Sequence, residues 1–365
     1  MGYSGVRGGM EAIRAAERLV RHKRDHADAP WVSGEQITQR FRLAVDRIMG
    51  EAGLYAESVA ADAFRQAEGD VLEATHLVRT YRSTLPRFAI SEPIDPDEMT
   101  TLRRIVPANR TPGGPQLLGR TTDYIGRLLD RQTSAPTGRP EPPTEPAAPD
   151  ADGQRSPGRF SAVLRKLNLL VEHSGDPDDE PFDVTRHAPR PPAPRSAVLA
   201  SMARAETGAL IALWYRSILG PDGDVHEITL GELRHGRIPI RVCHPHTGNP
   251  VSVGAVRVSE AEAIEDLDGA DEDRTRFDIG YGLCFGHNER KVIAMANLDI
   301  ACRRFGHTGP LQQLLLLTVD GLDSGGFLEH LKLPHYVTFR SMVDRKIATR
   351  SGVARAAEPF GKECV

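Results

Sequence analysis

At 365 residues, with 39% hydrophobic and 26% charged residues, the chain has the composition of a globular protein long enough for two domains. A formal net charge of −4 gives no general attraction to nucleic acid or to an anionic membrane, so any phosphate-bearing ligand must be held by local basic residues. Cys243, Cys284, Cys302 and Cys364 fall in no C-x-x-C spacing, which excludes a disulfide scaffold and an iron–sulfur cluster or Cys-rich zinc ribbon held by this chain alone.

The opening "MGYSGVRGGMEAI" lacks the apolar run of a signal peptide, and the apolar stretch around Leu314 to Leu317 is far too short to span a bilayer. A cytoplasmic chain is expected. Residues 1–130 read as a mainly helical domain. "MEAIRAAERLVRHKRDH" puts Ile13, Ala16 and Val20 on one face, and "VLEATHLVRTYRS" ends at Pro86. "DPDEMTTLRRI" has the proline and acidic residues of a helix start. Residues 131–195 read as a Pro- and Gly-rich linker or insertion with one short helix around Val163 to Val171.

From 196 to 350 a mixed α/β domain is expected, with 351–365 a tail, so the fold class is α+β. "AVLASMARAETGALIALWYRSIL" reads as one long apolar helix. "VHEITLGELR", "RIPIRV" and "PVSVGAVRV" read as short strands, the last by its alternation. "LQQLLLLTVDGL" is a candidate buried strand, and "VTFRSMVDRKIATR" a closing helix.

Four stretches carry candidate chemistry. "RFDIGYGLCFGHNERKVIAMANL" reads as a strand, a loop with Gly280, Gly282 and Gly286, then a helix opening on Glu289, Arg290 and Lys291. Free N–H groups and two cations there would favour phosphate, although G-x-G-x-x-x-G is not the dinucleotide fingerprint and a tight strand-to-helix turn is the plainer alternative. "GPQLLGRT" is one residue from a P-loop, but Arg120 replaces the lysine and Pro115 removes an N–H, leaving at most a loop that holds Arg120 near an anion. "CHPHTGNP" reads as a turn. "EHLKLPHY" sets His330 and His335 around a bend that Pro334 keeps from being helical. Two imidazoles suit zinc but are too few, so a further ligand would come from Glu329, Asp323, Asp320 or another chain. Spacing alone leaves a metal site and a histidine-packed turn both open.

"GYGLCFGHNERKVIAMANLDIA", "GFLEHLKLPHYVTF", "VRGGMEAI" and "PGGPQLLGRTTDYIGRLLD" together resemble the I subunit of the bacterial carbon–phosphorus lyase core complex. The resemblance runs over nearly the whole chain and departs in the first residues, in "VDGLDSGG" and at His287 and Asn288. It implies a subunit of α-D-ribose 1-methylphosphonate 5-triphosphate synthase, acting in phosphonate breakdown. With G, H and L subunits such a protein displaces the nucleobase of Mg-ATP with methylphosphonate. Alone it is similar to a purine nucleosidase acting on ATP or GTP. The resemblance further implies assembly with G, H and J partners, and zinc bound by His330 and His335 with J completing the coordination. Displacing a base from ribose needs a carboxylate near C1, for which Glu289 is the first choice and Arg276 and Asp278 a second pair of site residues. Gly280, Gly282, Gly286, Arg290 and Lys291 are the expected phosphate contacts. Two rival readings are a non-catalytic scaffold stapled by its metal and an unrelated metal-dependent phosphohydrolase.

Overall fold

Four antiparallel strands form a sheet in the order β1-β2-β3-β4: β1 (Thr100–Ile105), β2 (Ile228–Cys243), β3 (Pro250–Asp266) and β4 (Phe277–Phe285). The computed structural model describes residues 10–26, 28–109, 113–121, 129, 158–171, 173, 180–219, 228–267, 273–304, 309–317, 319–320, 328 and 336–350. The sheet belongs to a unit of residues 32–322, and residues 1–31 with 323–365 form another. The latter carries α1 (Met10–Asp25), which buries none of its side chains, and α11 (Tyr336–Arg350). No helix of the described residues is long and apolar enough to cross a membrane.

In the larger unit α2 (Gly34–Arg40), α3 (Arg42–Ala52), α4 (Glu57–Gln66) and α5 (Val71–Ser83) pack around Ile37, Val45, Ile48, Met49 and Val78. Ser33 and Gln36 close a capping box that starts α2, and Asp70 caps α5. The unit continues with α6 (Phe160–Lys166), α7 (Arg195–Arg204), α8 (Thr207–Leu219), α9 (Glu289–Arg304) and α10 (Pro310–Leu317). α9 is buried almost all round, through Val292, Met295, Leu298 and Ile300, as befits a helix with no continuous polar stripe.

Why α9 can sit so deep follows from β3 and β4. Ala261 and Ala263 pair with Gly282 and Gly280, so one sheet face presents almost no side chain there. A Cβ built at Gly280 would lie 1.9 Å from the Ala296 carbonyl oxygen, and one at Gly282 would lie 2.3 Å from that of Val292. The helix backbone therefore occupies the space of the missing side chains. Gly286 then turns the chain at φ +75°, where a Cβ would meet Asp46 of α3 at 2.7 Å. α3 is held there: Asn288 Nδ2 donates to the Asp46 carbonyl at 2.9 Å, and Arg257 Nη2 to the Asp46 carboxylate at 2.8 Å.

The α+β class stands, but four expectations about its elements differ. "DPDEMTTLRRI" makes a single 3₁₀ turn, Pro96–Glu98, started by the Asp95 side chain, and then becomes β1, because two β-branched threonines meet an open edge of β2. "LQQLLLLTVDGL" supplies α10, a helix with Pro310 at its first position and Leu311 and Leu315 buried four apart. The long apolar helix is two, α7 and α8, because the Glu206 carboxylate accepts from the backbone N–H groups of Gly208 and Ala209 at 2.9 and 2.6 Å and starts a new helix. "VHEITLGELR" and "RIPIRV" join in one strand, β2. β1 precedes the Pro-rich stretch and pairs with β2, which follows it.

Gly280→Ala is expected to destabilise the chain by about 2 kcal/mol or more, since the clash is with backbone. Gly113→Ala, where a Cβ meets nothing within 4 Å, should stay within about 0.5 kcal/mol of wild type. Urea unfolding of the two variants checks this, and equal midpoints would contradict the packing described.

Candidate functional site

At the start of α9 five polar side chains from four separate parts of the chain converge. Asn288 precedes the helix, its carbonyl accepting from Lys291 and Val292 at 3.1 Å. Ser259 of β3 fixes this turn, its hydroxyl donating to the Gly286 carbonyl at 2.9 Å and accepting from the Asn288 N–H at 3.0 Å. Glu289, in the first helical turn, is thereby aimed at β1, where Arg103 Nε donates to its Oε1. His287 Nε2 lies 3.3 Å from the same oxygen. Arg42 Nη1 is 2.9 Å from His287 Nδ1; because a guanidinium only donates, Nδ1 accepts and the ring proton sits on Nε2, facing Glu289.

This carboxylate is held as an anion. Burial pushes the Glu289 carboxyl up, but the His287 hydrogen bond and the Arg103 guanidinium outweigh it and leave it below the usual range. His235 of β2 stacks on His287 with ring centroids 4.3 Å apart. Its Nδ1 donates to the Val258 carbonyl at 2.8 Å. Burial, then the neighbouring His287, pushes the His235 ring down to about 4, so it is neutral at pH 7.

Positive charge exceeds negative here. Arg103 Nη1 donates to the Leu118 carbonyl at 2.6 Å, and Arg42 Nη2 to the Arg120 carbonyl at 2.9 Å. Burial, then the adjacent Arg120 charge, lowers the Arg42 pKa. Arg120 itself is exposed. "GPQLLGRT" is thus no phosphate-cradling P-loop: Leu117 exchanges backbone hydrogen bonds with Arg104 at 2.8 and 2.9 Å, so the segment lies extended beside β1 and delivers Arg120 to the Glu289 end of α9.

The expected phosphate contacts are dispersed. Gly280 and Gly282 lie inside β4 against α9, and only Gly286 is in the turn. Arg290 is exposed. Lys291, one residue on and so about 100° round the helix, is 1% exposed and points inward among Cys284, Glu51, Arg79 and Asp320. Arg276 pairs with Asp273 at 3.3 Å, and Asp278 sits at the opposite end of β4 from Glu289. His330 and His335 lie outside the described residues. Asp320, one carboxylate considered beside them, is paired with Arg79 at 2.7 Å. Among the described residues no three His, Cys, Asp or Glu side chains are grouped to hold a metal. Arg42, Arg103 and His235 had no local signature, since they come from separate segments of the chain.

Because His235 is depressed in the fold, the unfolded chain binds a proton that the folded chain refuses. Stability should therefore fall as pH drops from about 6.5, the unfolded value, to about 4, by about 3 kcal/mol in all. His235→Asn keeps a donor at the Nδ1 position without a titrating ring and should flatten that part of the profile. Denaturant unfolding across this pH range checks it; identical slopes in both proteins would contradict the burial of a neutral ring.

A model of the bacterial phosphonate metabolism protein (PhnI) family matches residues 2–352. The chain is 39% identical to the PhnI subunit of alpha-D-ribose 1-methylphosphonate 5-triphosphate synthase of Escherichia coli K12, over 94% of this chain and 96% of that one. It is 36% identical to the subunit of the same name from Rhizobium meliloti over 98% of each chain, and 39% identical to the protein HtxH of Stutzerimonas stutzeri over 96% of each. On a match of this length and relatives of this identity, the chain belongs to the bacterial phosphonate metabolism protein (PhnI) family.

Proposed function

We propose that this chain is the subunit in which the glycosidic bond of ATP is exchanged for a bond to methylphosphonate, working in the cytoplasm with G, H, J and L partners of a carbon–phosphorus lyase system. The observation that carries the reading is the Glu289 carboxylate, kept ionised between Arg103 and His287 at the edge of a cationic cluster. In the reaction a phosphonate oxygen bonds to C1′ of the ribose while the C1′–N9 bond breaks. Its electron pair leaves with adenine, which takes up a proton. Positive charge grows on the sugar as the base departs, and a fixed anion such as Glu289 stabilises it without reorganising. On this reading Arg120 and Arg42 are the cations that meet the triphosphate. With water in place of the phosphonate, the same chemistry yields free base and ribose 5-triphosphate from ATP or GTP.

The same proposal puts zinc on His330 and His335. Two neutral imidazoles are a fitting donor set but half of one, so a partner subunit would complete it. A metal held this way would join two subunits. One observation favours the rival scaffold reading: the Glu289, His287 and Arg103 side chains are only 11%, 7% and 8% exposed, and such closed ion pairs also serve structure alone.

In the assembled enzyme Glu289→Gln, nearly isosteric, is expected to lower kcat about 100-fold or more with little change in KM for ATP. Arg120→Ala should instead raise KM for ATP more than KM for an unphosphorylated nucleoside. Steady-state kinetics decides; a Glu289→Gln enzyme of near wild-type kcat would leave the scaffold reading. His330→Ala with His335→Ala is expected to strip zinc from the purified complex by elemental analysis, and unchanged metal content would remove it from these residues.

A further inference from the structure

At the other end of β4, away from Glu289, a cleft of about 350 Å³ opens beside the sheet edge. That volume suits a small molecule rather than a chain segment. Arg159, Arg165, Arg195, Arg303, His173 and Tyr281 supply its polar wall, and Glu262 is the one carboxylate residue lining it. Leu170, Val171 and Ile279 add a small apolar patch.

The arginines are held by carboxylates, of which only Glu262 lines the cleft. Asp299 of α9 grips Arg195 through Nε at 2.9 Å and Nη2 at 2.6 Å, and also accepts the Tyr281 N–H at 3.0 Å. Glu260, Glu262 and Asp97 hold Arg159 at 3.0, 2.7 and 2.6 Å. Asp278 accepts from Arg303 at 3.3 Å and lies 2.6 Å from His173 Nε2. A guanidinium carries five N–H donors, so each of these arginines keeps some after its carboxylate is satisfied. Arg303 Nε is buried and finds no acceptor among the described residues. Arg165 is exposed and makes no ion pair among the described residues.

We propose that this cleft binds a small phosphorus oxyanion, a phosphate ester or a phosphonate, at a site separate from Glu289. Several fixed, planar N–H forks around one space match the three oxygens of a phosphoryl or phosphonyl group better than a single carboxylate. The apolar patch gives the substituent on phosphorus a place out of water. Glu262 shares Arg159 with Glu260 and Asp97, which Arg234 also holds, so the charge offered to an anion comes from the exposed Arg165, while Arg195 and Arg303 contribute N–H donors. The proposal does not depend on the catalytic role given to Glu289.

Isothermal titration of the full-length chain with inorganic phosphate and, separately, methylphosphonate tests it. Saturable binding of at least one is expected, weakened about tenfold or more in Arg165→Glu, an exposed substitution that should leave the melting temperature in place. Arg303→Lys should weaken it as well. Tighter binding of methylphosphonate assigns the site to phosphonates, and tighter binding of phosphate assigns it to phosphate esters. No heat with either ligand up to about 10 mM, where an affinity weaker than roughly 3 kcal/mol would be implied, overturns the proposal. So does binding that survives Arg165→Glu but is lost in Arg120→Ala, which would place the anion at the Glu289 end instead.

Discussion

The backbone of α9 rests on the backbone of β4, and much of the larger unit is arranged by that contact. Gly280 and Gly282 face the helix where any side chain would strike the carbonyls of Ala296 and Val292, so strand and helix meet at a distance other residues forbid. Small residues at a helix–sheet contact usually give up buried area. Here they bring α9 deep enough for Val292, Met295, Leu298 and Ile300 to share a core with Met202, Leu210 and Leu233. The loss of apolar area at the glycines is offset by the larger core built around the helix.

Both charged sites follow from the same contact. The turn into α9 must be tight, so Gly286 takes a left-handed backbone against α3, and the next residues throw Glu289 toward Arg103. At the other end of the helix, Asp299 and Arg303 reach round the edge of β4 to the arginine-lined cleft. Between them the sheet face away from α9 is laced with buried pairs, Arg104 with Glu232 at 2.7 Å and Arg234 with Glu260 at 2.6 Å. Such pairs recover little more than their desolvation cost. Their effect in this fold is geometric: they set the register of charged side chains along β2 and β3.

How far this was legible in the sequence depended on how local each signal was. The first half of β3 showed in its alternation, the start of β4 as an apolar run ahead of its glycines, α9 as the helix after them, and the α+β class in the order of elements. β1 was hidden because its partner strand lies more than 120 residues away, and a short acidic Pro-containing start mimics a helix. α10 was misread because four successive leucines carry no period of their own. "GYG" has the composition of a loop, yet two glycines spaced by two within a strand point to one face, which is the signal of a close approach. Glu289 was reachable as the carboxylate opening a helix after a Gly-rich turn. Arg42, Arg103 and His235 were not, since only the folded chain brings residues 42, 103, 235 and 289 together. The cleft arginines were invisible for the same reason.

The central claim is that glycosidic chemistry resides in this polypeptide, and chromatography of the purified chain incubated with ATP, and in parallel with GTP, tests it most directly. Free adenine or guanine accompanied by ribose 5-triphosphate is the result predicted. Nucleotide left intact, or inorganic phosphate released with the base still attached to ribose, would contradict it.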